Sequence, residues 1–240
     1  MKCMILAAGY ATRLYPLTEN FPKPLLPVQG KAILDWLVED IAGCGVNEFI
    51  VVSNHKFADH FAAWAKERPE KITVADDGTS TNETRLGAVR DIALGAQEPD
   101  DYLVIAGDNL MDFSFRGFID FYRAKQAPCV MTHEENRPEK QRKTAIITFE
   151  ADGRITSYEE KPQAPKGNHA VPPFYIYRAE DIQRIPEALA AGCGYDAPGS
   201  FAAWLSTKTD VYAYGMPGKR YDIGDAASYQ LVQEEYPGIK

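Results

Sequence analysis

Leu6-Ala7-Ala8-Gly9-Tyr10-Ala11-Thr12-Arg13-Leu14-Tyr15-Pro16-Leu17-Thr18, followed three residues later by Pro22-Lys23-Pro24, is the stretch from which the rest of the chain is read. It follows directly on a short apolar run that begins at Lys2. Small residues at 7, 8, 9 and 11 let a backbone approach a ligand closely, and successive N–H groups in such a loop form an anion-binding nest. Arg13 and Lys23 supply the positive charge: a planar fork and a point charge suit a polyphosphate whose charge shifts during reaction. No Gly-Lys-Ser/Thr follows, so this is not a Walker loop, and Gly9 has no partners at the spacing of a dinucleotide fingerprint. Pro16, Pro22 and Pro24 keep a helix from opening at once. A glycine turn with two solvated cations is the commoner meaning of Gly-x-x-x-Arg taken alone. Context favours a triphosphate cradle.

Outward from this loop, apolar runs and helix-like stretches alternate. Ile33, Leu34, Leu37 and Ile41 recur at helical spacing until Gly43 and Gly45. Residues 49–52, 72–74 and 102–106 are further strand-like runs, separated by helical stretches near 56–67 and 85–96. With the first run, that predicts four parallel strands covered by helices. Past residue 125 the rhythm changes. Residues 143–150 alternate, Asp152-Gly153 turns, and residues 154–161 return as a hairpin. Strand-like runs at 170–177 and 210–216 follow, with helical stretches near 179–191, 200–206 and 225–235. No linker or repeat divides the chain. The expected fold is α/β: a Rossmann-like, mostly parallel sheet flanked by helices with an inserted β-rich substrate lobe. One catalytic domain, 1–240, would hold a nucleotide-binding half (about 1–125) and an acceptor-binding and metal half (about 126–240).

Composition narrows the function classes. The 240 residues are 45% hydrophobic and 25% charged, close to globular averages. A net charge of −8 argues against a sequence-independent grip on nucleic acid. No apolar window approaches the ~18 residues of a membrane span. Cys3, Cys44, Cys129 and Cys193 form no C-x-x-C pair, and Met1-Lys2-Cys3 does not open like a signal peptide, so a reduced, cytoplasmic protein is expected. His55 and His60 are spaced unsuitably for one metal, and no Gly-x-Ser-x-Gly elbow is present. A second candidate lies at Gly107-Asp108-Asn109, after the run 102–106. Ligand crevices of open parallel sheets lie outside the strands' carboxyl ends, which places Asp108 to hold a hard cation.

The opening loop resembles the signature of the sugar nucleotidyltransferases, the pyrophosphorylases that join a nucleoside triphosphate to a sugar 1-phosphate. Their G-x-G-T-R-L-x-P-x-T, followed by P-K, is matched except that Ala11 stands at the second glycine. A positive φ there would strain the alanine; a negative one would not. The resemblance runs from Met1 to about Tyr236 and is closest to the short, single-domain glucose-1-phosphate thymidylyltransferases. It implies nucleotide contacts from Leu6, Ala7, Ala8, Gly9, Ala11, Thr12, Arg13 and Lys23, with Asn82 and Gly87 beside the base. It further implies Mg²⁺ on Asp108 and, in Tyr221-Asp222-Ile223-Gly224, on Asp222. Glu159-Glu160-Lys161-Pro162 and Asn168-His169-Ala170-Val171 resemble the acceptor segments, which assigns Glu160 and Val171 to the sugar, Lys161 to its phosphate, and Asn109 to the acceptor as well. Arg13, Lys23, Asp108 and Lys161 are then the catalytic set. Adjacent residues on a strand face opposite sides, so Glu160 and Lys161 share a ligand only if the strand ends there.

The expected reaction is Mg-dependent: nucleoside triphosphate plus sugar 1-phosphate gives a nucleoside diphosphate sugar and pyrophosphate. The family's usual residues are replaced by Thr144-Ala145 and Pro172-Pro173, which leaves the acceptor open. A cytidylyltransferase for a small phosphate or phosphonate such as phosphocholine is the alternative, and a non-catalytic nucleotide sensor a further one. No hexapeptide β-helix follows, so the catalytic core alone is expected, assembled as a homodimer, with no nucleic-acid or membrane partner.

Overall fold

The computed structural model describes all 240 residues. In chain order the elements are β1 (Lys2–Leu6), β2 (Pro27–Val28), β3 (Lys31–Ala32), α1 (Ile33–Gly43), β4 (Glu48–Ser53), α2 (Ala58–Lys66), β5 (Lys71–Asp76), α3 (Ala88–Gly95), β6 (Tyr102–Ala106), β7 (Asn109–Met111), α4 (Arg116–Lys125), β8 (Cys129–Glu134) and α5 (Pro138–Gln141). They continue with β9 (Ala145–Phe149), β10 (Ile155–Glu160), β11 (His169–Val171), β12 (Phe174–Tyr177), α6 (Ala179–Ile182), α7 (Ile185–Ala190), α8 (Gly199–Leu205), β13 (Tyr212–Gly215), β14 (Arg220–Asp222) and α9 (Ala226–Glu235). The class is α/β, and no helix is long and apolar enough to cross a membrane. Two compact units are present, each assembled from separate segments. The first takes Met1–Leu86, Ala106–Arg116 and Pro217–Lys240; the second takes Gly87–Ile105 and Gly117–Met216.

In the first unit β1, β4 and β5 run parallel, Cys3 opposite Phe49 and Phe49 opposite Ile72. Cys3, Met4 and Ile5 are all fully buried, which is why β1 is continuously apolar rather than alternating. Alternation returns in β5, whose Lys71, Thr73 and Asp76 are exposed, as suits an edge. Helix α1 buries Ile33, Leu34, Leu37, Val38 and Ile41 on one stripe. Asp35 accepts the Ala32 N–H at 3.1 Å near its start, and Gly45, at φ 90°, lets the chain turn away after its end. Truncating the fully buried Leu37 to alanine would cost about 2–5 kcal/mol. The antiparallel pair β7 and β14 completes this unit's framework, Asp222 facing Asn109.

The second unit is mainly antiparallel: β12 pairs β6 and β8, β11 pairs β8 and β9, and β9 pairs β10 across the predicted hairpin. Strand β13 joins β8 in parallel. Two expectations needed correction. The run 170–177 is two strands, because Pro172 and Pro173 have no N–H for a ladder; both halves pair β8, and each has a second partner of its own, β9 for β11 and β6 for β12. The stretch 179–191 is two short helices, since Pro186 cannot extend the turn that ends at Ile182.

Candidate active site

In the first unit β1 delivers the glycine-containing loop. The Ala7 N–H still reaches Val52 O at 2.8 Å, and the next amide given to a backbone carbonyl is that of Leu14, to Ala11 O at 2.9 Å. The amides of residues 8–13 lie between these two and are bonded to no backbone carbonyl. Ala11 has φ 47° and ψ 40°, left-handed, and a 3₁₀ turn over Thr12–Leu14 follows. A left-handed residue beside right-handed ones is the backbone of an anion nest. The alanine is therefore in the strained state, at about 1–2 kcal/mol.

Charge enters from three further segments. Lys23 opens the 3₁₀ turn Lys23–Leu25, is 6% exposed, and places Nζ 2.8 Å from Asp108 Oδ2. Asp108 follows β6 through Gly107, where an added Cβ would lie 2.9 Å from Ile5 Cγ2, so glycine is needed for the close crossing over β1. Asn109 Nδ2 donates to Asp108 Oδ1 at 2.6 Å, and Arg220 donates to Asn109 Oδ1 at 2.8 Å. Asn109 is buried with both ends of its amide engaged. Its amide links Asp108 to Arg220 within this unit.

Leu6, Ala7, Gly9, Ala11, Arg13, Lys23, Pro24, Ala106, Asp108 and Gly224 line one cleft of about 260 Å³. That is slightly below the roughly 300–1,000 Å³ of whole-ligand pockets and suits part of a ligand, such as a polyphosphate. Ala8 is buried, its carbonyl accepting Asn54 Nδ2 at 3.0 Å, and Thr12 is exposed. Asp222 does not line the cleft, although Gly224, two residues on, does. A side chain at Gly224 would begin 3.8 Å from the Arg13 guanidinium. Asn82 sits half-buried in a 3₁₀ turn. Its loop is tied to the glycine-containing loop where Tyr10 Oη meets Thr79 Oγ1 at 3.1 Å.

No group of three or more His, Cys, Asp or Glu gathers as a metal cage. Each aspartate taken by itself keeps acceptor capacity for a hard cation. Each Asp108 oxygen accepts one N–H and keeps a further lone pair, while Asp222 is 55% exposed and faces Asn109 across the β7–β14 pair. Magnesium asks little more of a protein than one or two carboxylates. The cysteines offer no nucleophile: burial pushes the Cys129 thiol up to about 12 and raises that of Cys3 further.

The second unit holds Gly87, Glu160, Lys161 and Val171. Gly87 precedes α3 at φ 95°, and a Cβ there would lie 2.7 Å from the Tyr195 ring. β10 ends at Glu160, and Lys161 turns to φ 49°, so the strand stops where a shared ligand requires it to. The Lys161 amide bonds Thr144 O at 3.1 Å, and the Thr144 hydroxyl donates to Val171 O at 3.4 Å, fixing the three segments together. Burial raises the Glu160 carboxyl above its ordinary range, partly opposed by the Lys161 ammonium. An added Cβ at Gly199 would fall 2.3 Å from Glu160 Oε2, with the Tyr158 and Tyr175 hydroxyls also within 3.4 Å. Glu159 pairs with Lys166 at 3.2 Å.

Thr18, Gly224 and Gly199 were not singled out from sequence. Thr18 and Gly224 lie inside quoted motifs and Gly199 outside them, but the part each plays depends on a close approach made only by the folded chain.

The chain matches the model of the family described as nucleotidyl transferase over residues 2–237. It is 25% identical to the UTP–glucose-1-phosphate uridylyltransferase of Synechocystis sp., covering 100% of this chain and 67% of that protein. It is 30% identical over 192 residues to the mannose-1-phosphate guanylyltransferase catalytic subunit beta of Xenopus tropicalis, covering 77% and 52% respectively. The chain thus spans about half to two thirds of the length of the curated relatives it matches. In fold it is similar to a putative glucose-1-phosphate thymidylyltransferase from Bacillus anthracis, with TM-score 0.85 and 22% identity, covering 100% of this chain and 96% of that one. A UDP-glucose pyrophosphorylase solved with UDP-glucose has TM-score 0.83 and 22% identity, covering 98% and 97%. The match spans nearly every residue and takes in the loop, the two lysines and the two aspartates, so the chain belongs to the nucleotidyl transferase family.

Proposed function

We propose that this chain is a sugar-1-phosphate nucleotidyltransferase. The observation that carries the reading is the cleft lined together by the small loop residues Ala7, Gly9 and Ala11, by Arg13 and by the Lys23–Asp108 pair. An oxygen of the acceptor phosphate attacks the α-phosphorus in line. The bond from that phosphorus to the β-bridging oxygen breaks, and pyrophosphate leaves with the electron pair. No covalent enzyme intermediate is required, so catalysis is positioning and neutralisation of charge. The loop amides and Arg13 bind the β- and γ-phosphates that become pyrophosphate, and Lys23 turns from Asp108 to the α-phosphate. Magnesium held by Asp108 and Asp222 would supply additional charge neutralisation. Asn82 and Gly87 meet the base. In the second unit Lys161 orients the attacking phosphate, and Glu160 and the Val171 backbone hold the sugar hydroxyls.

Relatives that carry uridylyl, guanylyl and thymidylyl names support a sugar 1-phosphate as acceptor and leave the base open. The test is pyrophosphate release with Mg²⁺ from ATP, GTP, CTP, UTP and dTTP against glucose 1-phosphate, mannose 1-phosphate, phosphocholine and 2-aminoethylphosphonate. Release with a sugar phosphate supports the proposal. Release with phosphocholine or the phosphonate alone assigns the chain to a different acceptor class.

A further inference from the structure

Thr18 is fully buried, and its hydroxyl donates to the carbonyl oxygen of Ala11 at 2.8 Å. The same oxygen takes the Leu14 N–H at 2.9 Å, so both of its lone pairs are used. A peptide group is planar and trans, so fixing the Ala11 carbonyl on one side fixes the direction of the Thr12 N–H on the other. Ala11 and Arg13 line the cleft, whereas Thr18 does not. Ala11 is held at φ 47°, a conformation that glycine adopts without penalty and alanine leaves when nothing retains it. One net hydrogen bond is comparable in size to that penalty.

We propose that Thr18 is a positioning residue for the triphosphate. Through its bond to the Ala11 carbonyl it retains the left-handed turn by which Ala11 and Arg13 line the cleft, a restraint that matters more for the left-handed alanine at residue 11 than it would for glycine. The inference rests on the nucleotide reading of the cleft, and it predicts an energetic coupling between residues 11 and 18 that burial of a threonine alone would not create.

The experiment is calorimetric titration of the parent, T18V, T18S, A11G and T18V/A11G with the magnesium complexes of ATP, GTP, CTP, UTP and dTTP, followed through on the tightest binder. T18V is expected to weaken binding roughly 5- to 10-fold, the equivalent of one hydrogen bond, with T18S within about twofold of the parent. With glycine at residue 11 the same T18V change is expected to cost less than about twofold. In turnover assays the loss is expected in KM for the triphosphate, with kcat at saturation nearly unchanged. An equal loss in both backgrounds, or none in either, overturns the proposal. Should T18V not fold, as judged by its melting curve, T18C takes its place in the cycle. A parent that binds none of the five triphosphates overturns the nucleotide reading itself, whereas a parent that binds with T18V unaffected overturns this inference alone.

Discussion

Lys23 Nζ lies 2.8 Å from Asp108 Oδ2, a contact between residues 85 positions apart in the chain. The lysine side chain is 8% exposed and the aspartate 40%, so the ammonium is the member that needs its partner. In the proposed loaded cleft each partner stands in for what the other would meet: the aspartate for a phosphate, the lysine for a cation. The pair keeps the ligand-free cleft close to neutral at that point and gives both groups a defined position before substrate enters.

D108N leaves the buried Lys23 ammonium without its charge partner and is expected to melt lower than the parent while still folding, K23M to melt closer to it, and each to lower turnover by about 10²-fold or more, the usual loss for a transition-state charge stabiliser. Because the two groups touch, the double variant should fall short of the product of the single losses. Pyrophosphate release checks both points, and a D108N variant with parental turnover would remove Asp108 from the mechanism.

At residue 11 the strain should be visible without substrate. A11G relieves a left-handed alanine and gives back part of the gain as chain entropy, so a net stabilisation of roughly 0.5–1 kcal/mol is expected in denaturant unfolding. A11V should go the other way. An A11G variant less stable than the parent would contradict the φ of 47°.

Glu160 gives a pH signature. Burial raises its carboxyl above the ordinary 4.5, with Lys161 opposing. A carboxyl raised in the folded state contributes stability that is fully present below its unfolded value and is lost as pH rises through the folded value. E160Q, which carries no charge to bury, should therefore melt higher than the parent at pH 7, and the difference should close as pH falls to 4.5 and below. A parent more stable than E160Q at pH 7 would sink this account of the carboxyl.

Gly199 leaves room for that same carboxylate. G199A puts a methyl group 2.3 Å from the present position of Glu160 Oε2, so the carboxylate must move. Steady-state kinetics should show KM for the acceptor rising several-fold, in the range of ~1 kcal/mol for a displaced polar contact, with triphosphate affinity unchanged. Equal effects on both substrates would count against an acceptor role for Glu160.

The loop from Leu6 to Thr18 was legible because its constraints are local: small residues, two cations and prolines placed where a helix would otherwise open. β1, β4 and β5 were legible for a similar reason, each being a short apolar run bounded by turns. What the sequence left hidden depends on distant partners. Asn109 reads from sequence as a ligand contact, and only the fold shows that Arg220, 111 residues further on, engages its carbonyl while its amide nitrogen donates to Asp108. Gly199 shows its purpose only when Glu160 is folded against it. The break at Pro172-Pro173 was present in the residues themselves, yet the surrounding apolar run outweighed it; the two strands it separates share β8 and differ in their second neighbour, β9 for one and β6 for the other.

The most direct test of the central claim is pyrophosphate release by the parent protein with Mg²⁺, one nucleoside triphosphate and one sugar 1-phosphate at a time. The account predicts release that requires both substrates, with a nucleoside diphosphate sugar formed in equal amount. Tight binding of a triphosphate with no release for any sugar phosphate would contradict it.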